Sequence, residues 1–278
     1  MKSGKAKALL RIVALFGIVY LLLCAAVYRF QRSLLYFPTH AESTSSLKAW
    51  TDNGHVVGYC REMSNPTAVW LMMHGNAGQA SDREYALDRM SDDDALYVLE
   101  YPGYGARHGS PSRKSIDKAA SDAYQLLRQT YPNAPICVIG ESIGSGPASM
   151  LAQQRTLPEK IVLVTPFDSL YNVASNRFGF LPVWLLLLDR WDNVDALRHY
   201  DGQIDIFGAT DDTVIPIDHA RNLARAIPGS RFTEIPGGHN DWSFCTAVRI
   251  AITSNLFKGQ QRRDRCGMCV RFPFALPV

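Results

Sequence analysis

Ile136-Cys137-Val138-Ile139-Gly140-Glu141-Ser142-Ile143-Gly144 decides how this chain is read. A short apolar run enters a G-x-S-x-G pentapeptide, and small residues open a helix directly behind it. A serine hydroxyl is a poor nucleophile until a base takes its proton, and it must stand clear of the helix that follows. Two glycines around it permit a sharp strand-to-helix turn that lifts the Oγ above the sheet edge. A chain of this length would show the pentapeptide by chance roughly one time in ten, so the surrounding sequence has to decide.

Short apolar runs alternate with helix-like stretches on both sides of the pentapeptide. Strands are expected at His55–Met63, Ala68–Met73, Ala95–Tyr101, Ile136–Ile139, Lys160–Val164, Ile204–Gly208 and Arg231–Ile235, and helices near Ser81–Met90 and Ser115–Tyr131. The apolar runs are continuous rather than alternating, as in strands covered on both faces. The fold class is therefore α/β, with a mostly parallel central sheet and right-handed crossovers.

Three loops leave these strands with chemistry on them. His74-Gly75-Asn76-Ala77-Gly78 follows an early strand and can aim a backbone N–H at a developing oxyanion. Asp211-Asp212-Thr213-Val214-Ile215-Pro216 carries two candidate acids, and Gly237-Gly238-His239-Asn240-Asp241 carries a candidate base. The order Ser, acid, His is one of the orders in which a serine triad is laid along a chain. Ser142 would attack an acyl carbonyl, His239 would shuttle its proton, and an aspartate would fix the imidazole tautomer. The Ile143 and Asn76 backbone N–H groups would hold the oxyanion.

These residues resemble the α/β-hydrolase superfamily, and within it membrane-anchored serine hydrolases similar to protein depalmitoylases and lysophospholipases. The resemblance runs from about Phe30 to Phe257 and includes Leu34-Leu35-Tyr36-Phe37-Pro38, the His74 loop, Tyr101-Pro102-Gly103-Tyr104-Gly105, Thr165-Pro166-Phe167 and the two downstream loops. It implies an α/β-hydrolase fold with helices on both sheet faces, a small cap and a serine triad; membrane tethering and an apolar cap, taken with the resemblance, point to ester or thioester bonds of acylated lipid or protein. It leaves the acid open between two neighbours. The distance to Pro216 favours Asp212 and the distance from Gly208 favours Asp211; Asp212 is taken as the acid. A serine peptidase and an inactive, membrane-tethered binding module are the rival readings. The remaining histidines, His40, His55, His108, His199 and His219, are expected at the surface or in loops, and His74 is expected to buttress its own loop.

The chain has 278 residues, 47% of them hydrophobic, and a formal charge of +3. That suits one α/β domain with extras at its ends. No Lys/Arg stripe is interleaved with aromatics, which argues against nucleic acid as a partner. Between Ala8 and Val27 the only charge is Arg11, with Lys2, Lys5 and Lys7 before it and Arg29 and Arg32 after. Residues 1–29 are read as a membrane anchor, with a cleaved signal peptide as the alternative. The excess of positive charge before the span places the domain, residues 30–258, on the non-cytoplasmic side. A cap is expected at about 166–200, where Phe178 to Leu188 would line an acyl pocket, touch the bilayer, or lie buried on the sheet. Residues 259–278 form a basic tail.

Cys60 and Cys137 are expected in core strands and Cys245 in a helix after His239. Cys266 and Cys269 form a lone C-x-x-C without the further ligands a zinc site needs. No metal or organic cofactor is called for, because nucleophile, base and oxyanion donors are all protein groups.

Overall fold

The computed structural model describes residues 2–42 and 44–252, so the expected basic tail with Cys266 and Cys269 lies outside the described residues. Helix α1 runs from Lys2 to Leu35, past the expected anchor boundary at residue 29. An 18-residue window within its Lys7–Leu35 stretch has a mean hydropathy of 2.5, and only 6% of that window is buried against protein. It is long and apolar enough to cross a bilayer, and its exposure excludes a core helix of the domain.

Eight strands form one sheet: β1 (Lys48–Asp52), β2 (His55–Arg61), β3 (Val69–Met73), β4 (Ala95–Leu99), β5 (Ile136–Glu141), β6 (Lys160–Val164), β7 (Gln203–Ala209) and β8 (Arg231–Ile235). Their spatial order is β1-β2-β4-β3-β5-β6-β7-β8. β2 is antiparallel to both neighbours, and every other pair is parallel. The strand β1 was not visible in the sequence, because Lys48-Ala49-Trp50-Thr51-Asp52 buries only Trp50. An edge strand with charges at both ends carries a weak apolar signal.

The central strands β3, β4, β5 and β6 are buried along their whole length. Side chains alternate between two cores: Val69, Leu71 and Met73 face one, Trp70 and Met72 the other. The first face is covered by α2 (Arg113–Thr130), α3 (Ser145–Met150) and α7 (Asp218–Ala226). Ile116, Ala120, Tyr124 and Leu127 form the apolar stripe that α2 lays on the sheet, and the Ser112 hydroxyl caps its start by accepting from Ser115 N–H. A ten-residue 3₁₀ stretch, Ala80–Arg89, covers the other face together with Trp242, Cys245, Val248 and Ile250. The helix expected around Cys245 is instead a single 3₁₀ turn, Asp241–Phe244, although Cys245 itself is buried. Its apolar residues reach the sheet without the 3.6 periodicity that a longer helix would need.

Between β6 and β7 lie three short helices, α4 (Leu170–Arg177), α5 (Val183–Leu186) and α6 (Asn193–Leu197). The parallel strands aim their C-terminal ends at one edge, and the loops with Ser142, Asp212 and His239 all leave from that edge.

Lys160 at the start of β6 is almost fully buried; its Nζ lies 2.7 Å from Asp205 and donates to the Ala251 carbonyl at 2.8 Å. Removing one partner of a buried pair strands the other charge. Lys160→Met is expected to lower unfolding free energy by about 3 kcal/mol, read by urea denaturation, with Arg231 beside Asp205 limiting the loss.

Candidate active site

Ser142 sits at the first position after β5 with φ of 54°, in the left-handed region that a β-carbon disfavours. The flanking glycines are needed for space, since neither is among the residues with positive φ. A β-carbon on Gly140 would come within 2.7 Å of Ala148 Cβ, and one on Gly144 would overlap the Met73 carbonyl. The strain on Ser142 is thus held by close packing of α3 against the exits of β3 and β5.

His239, in the loop after β8, places Nε2 2.7 Å from Ser142 Oγ and Nδ1 2.6 Å from Asp212 Oδ2. The other carboxylate oxygen, Oδ1, accepts from the Val214 and Ile215 N–H groups at 2.8 Å each. Those two bonds orient the buried carboxylate toward the imidazole. Asp211 is exposed, and its backbone N–H pairs with the Gly237 carbonyl. The loop's packing therefore separates the two aspartates, which their spacing left open.

The His74 loop packs directly on the elbow: a β-carbon on Gly75 would lie 3.8 Å from Ser142 Cβ. Gly75 N–H is taken by Glu141 Oε2 at 3.2 Å. Among the described residues no protein acceptor engages the Asn76 N–H. The rest of Asn76 is fixed. Its carbonyl accepts from Phe37 N–H and Tyr104 OH, and its amide Nδ2 donates to the Leu35 carbonyl at the end of α1. Tyr101 OH donates to the His74 carbonyl at 2.7 Å and stacks on the His74 ring. The Tyr101–Gly105 segment thus works from beneath the loop. His74 is fully buried and donates from Nδ1 to the Gly75 carbonyl; burial pushes its pKa down against the pull of Glu100.

Glu141 ties these pieces together. Its buried carboxylate accepts from Gly75 N–H, from Tyr85 OH on the 3₁₀ stretch, and from Trp242 Nε1 just beyond His239. Burial alone would raise this carboxyl, but the nearby Arg83 charge and the Trp242 and Tyr85 hydrogen bonds outweigh it and hold the pKa below the usual range. Sequence alone does not reveal this role, because none of its three partners is near Glu141 in the chain.

His219 departs from expectation. It is buried on α7, with Nδ1 2.7 Å from Asp168 Oδ1. Asn172 of α4 also donates to Asp168, and Asn176 lies 3.4 Å from His219 Nε2. The pair closes the gap between α7 and α4 and stands apart from the Ser142 chain of hydrogen bonds. A lone histidine on an amphipathic helix gives no sign of a partner that lies one strand away in the sheet.

Because the folded-state pKa of Glu141 is lowered, its stabilisation is complete above the unfolded value near about 4.3 and is lost as pH falls through the folded value. Glu141→Gln would set an amide nitrogen against either the Gly75 N–H or the Trp242 Nε1–H, which lie on different carboxylate oxygens. It is expected to cost about 2–3 kcal/mol at neutral pH and to flatten the acid limb of the stability profile, as read by urea unfolding across pH.

No protein-family model matches the chain. It is 29% identical over 251 residues to an uncharacterised protein of Mycobacterium tuberculosis, covering 84% of this chain and 88% of that one. It is 27% identical over 205 residues to a Danio rerio protein named lysophosphatidylserine lipase ABHD12, covering 64% of this chain and 53% of that one, so it spans about half of that relative's length. Among solved structures, the Pyrococcus furiosus esterase Pf2001 superposes with a TM-score of 0.56 at 13% identity, covering 76% of this chain and 94% of the esterase. The sheet order, the strained serine turn and these likenesses agree: the chain has the α/β-hydrolase fold.

Proposed function

We propose that this protein is a serine hydrolase that cleaves carboxylic ester or thioester bonds of acylated lipids or proteins. The observation that carries the reading is the hydrogen-bonded chain from Ser142 through His239 to Asp212, with Ser142 held on a strained turn. His239 Nε2 takes the Oγ proton as the oxygen attacks the acyl carbonyl. The oxyanion that forms is met by the Ile143 and Asn76 N–H groups, worth about 3 kcal/mol of barrier each. The imidazolium, steadied by Asp212, gives its proton to the departing alcohol or thiol, leaving an acyl-serine. Water, deprotonated by the same imidazole, then attacks the acyl group, and the imidazolium returns its proton to Ser142 Oγ as the acyl–Oγ bond breaks and the acid leaves. Each step is balanced by protein groups alone.

The substrate class is drawn from surroundings and kinship. Helix α1 offers a membrane span, and a relative is named a lysophosphatidylserine lipase. Lys2, Lys5, Lys7 and Arg11 precede the apolar stretch while Arg29 and Arg32 follow it, which favours a cytoplasmic N-terminus and a domain on the far side.

The test is hydrolysis of lysophospholipids and acyl thioesters of graded chain length by the full-length protein in detergent. Long-chain turnover is expected to exceed short-chain turnover, and Ser142→Ala to lower kcat by about 10⁴-fold or more. Asp212→Asn is expected to lower it by about 10⁴-fold while Asp211→Asn leaves it within a factor of about 3. Turnover that survives Ser142→Ala, or that is confined to peptide amides, would end this reading.

A further inference from the structure

Arg177 and Asp189 bracket eleven residues without a charge, Phe178-Gly179-Phe180-Leu181-Pro182-Val183-Trp184-Leu185-Leu186-Leu187-Leu188. An apolar run of about 10–14 residues is too short to span a bilayer and reads as a buried core helix or as an interfacial or re-entrant segment. The structure excludes the first. Val183 and Leu186 turn inward, but Trp184 and Phe180 are each 65% exposed and Leu185 is 59% exposed, with Phe178 and Leu188 also open. So large an apolar surface on one short segment needs a covering.

What covers it follows from where it is attached. The segment is bonded to α1, not only to the body of the domain. Tyr20 OH donates to the Phe180 carbonyl at 2.9 Å. Gln31 Nε2 donates to the Leu186 carbonyl at 2.9 Å, and Gln31 Oε1 accepts from Leu188 N–H at 2.8 Å. Below them, Asp189 receives Arg32 at 3.1 Å and Tyr36 OH at 3.0 Å. Tyr20 stands about 20 Å along α1 from Leu35, at 1.5 Å per residue. It lies in the middle of the apolar stretch between Arg11 and Arg29. A helix that crosses a bilayer there carries Phe180 into the hydrocarbon with it.

The bonding pattern also suits hydrocarbon. Irregular backbone at membrane depth is tolerated only where its polar groups find protein partners. Pro182 and Gly179 prevent a continuous helix here, and the carbonyls this frees are met by α1 side chains. Arg190 donates to the Trp184 and Leu187 carbonyls from the charged end of the segment. The groove between α1 and the segment, about 670 Å³, is walled by Cys24, Ala25 and Leu185 to Leu188, with Arg113 and Arg190 at its margin. That is a largely apolar trough with two cations in its lining, which suits acyl chains that carry anionic headgroups.

We infer that residues 178–188 form a second membrane element, a re-entrant segment seated beside α1 in one leaflet, with Phe180, Trp184 and Leu185 covered by the acyl chains of bilayer phospholipid. The chain reaches the segment through α4 from the loop after β6, at the same sheet edge as the loops with Ser142 and Asp212. The inference rests on α1 spanning the bilayer and is independent of the chemistry at Ser142.

Tryptophan fluorescence gives a direct test. Of the five tryptophans, Trp50, Trp70, Trp191 and Trp242 are buried in the domain and only Trp184 is exposed. The full-length protein is reconstituted into phosphatidylcholine vesicles with or without bromine on the acyl chains. The expected result is that acyl-chain bromine quenches the emission component lost in Trp184→Gln, by about twofold, while aqueous acrylamide leaves that component untouched. Quenching of Trp184 by acrylamide and not by bromolipid would place the segment in water and overturn the proposal. Protection from both quenchers would mean that protein covers it, which overturns it equally. Retention of the protein in carbonate-washed vesicles alongside either result would leave α1 as an anchor and remove only the re-entrant segment.

Discussion

The constraint on which the site depends is the absence of room at the β5–α3 turn. Gly144 lies against the Met73 carbonyl so closely that no β-carbon fits, and Gly140 is wedged against Ala148 and Ser145. Close-packed interiors resist displacement of even a methyl group, so the turn cannot relax. That rigidity keeps Ser142 at a φ of 54°, with its Oγ at the His239 imidazole and away from α3. The neighbouring Glu141 carboxylate extends the same control outward. By holding Gly75, Tyr85 and Trp242 at once, it fixes the His74 loop and the segment after His239 relative to the serine. A charged acceptor in a buried setting makes stronger hydrogen bonds than a neutral one, which suits a residue that must align three separate pieces of chain.

A second dependence runs from the membrane helix to the site. The last carbonyl of α1, on Leu35, is capped by the Asn76 side chain, and Phe37-Pro38 pairs in parallel with Ala77-Gly78 directly behind it. The loop that sets Gly75 next to Ser142 is therefore braced from one side by Glu141 and from the other by the end of α1. Orphan carbonyls at a helix terminus need a partner, and here that partner is a residue of the candidate oxyanion loop. The helix is at once the apolar stretch suited to a bilayer and a wall of the site's support, so detaching it would disturb more than location.

Much of the fold was legible because the central strands are buried on both faces and so are continuous apolar runs; β6 and β8 begin and end where the sequence placed them. The features that were hidden share one cause, dependence on distant partners. β1 buries one residue in five and is defined by its pairing with β2. The Ala80–Arg89 stretch keeps 3₁₀ geometry, and Cys245 lies in the core without a helix to carry it. His219 gave no local hint of Asp168, and neither spacing rule could separate Asp212 from Asp211, because a turn held by Val214 and Ile215 N–H groups decides which carboxylate faces His239.

The central claim is that His239 and Asp212 make Ser142 a nucleophile. The most direct test is mass spectrometry of the folded, full-length protein after exposure to a fluorophosphonate, in which a new Oγ–P bond forms as fluoride leaves. The account predicts a single covalent adduct on the peptide that contains Ser142, abolished by His239→Ala. A folded protein that stays unmodified, or one that carries its adduct on a different serine, would contradict it.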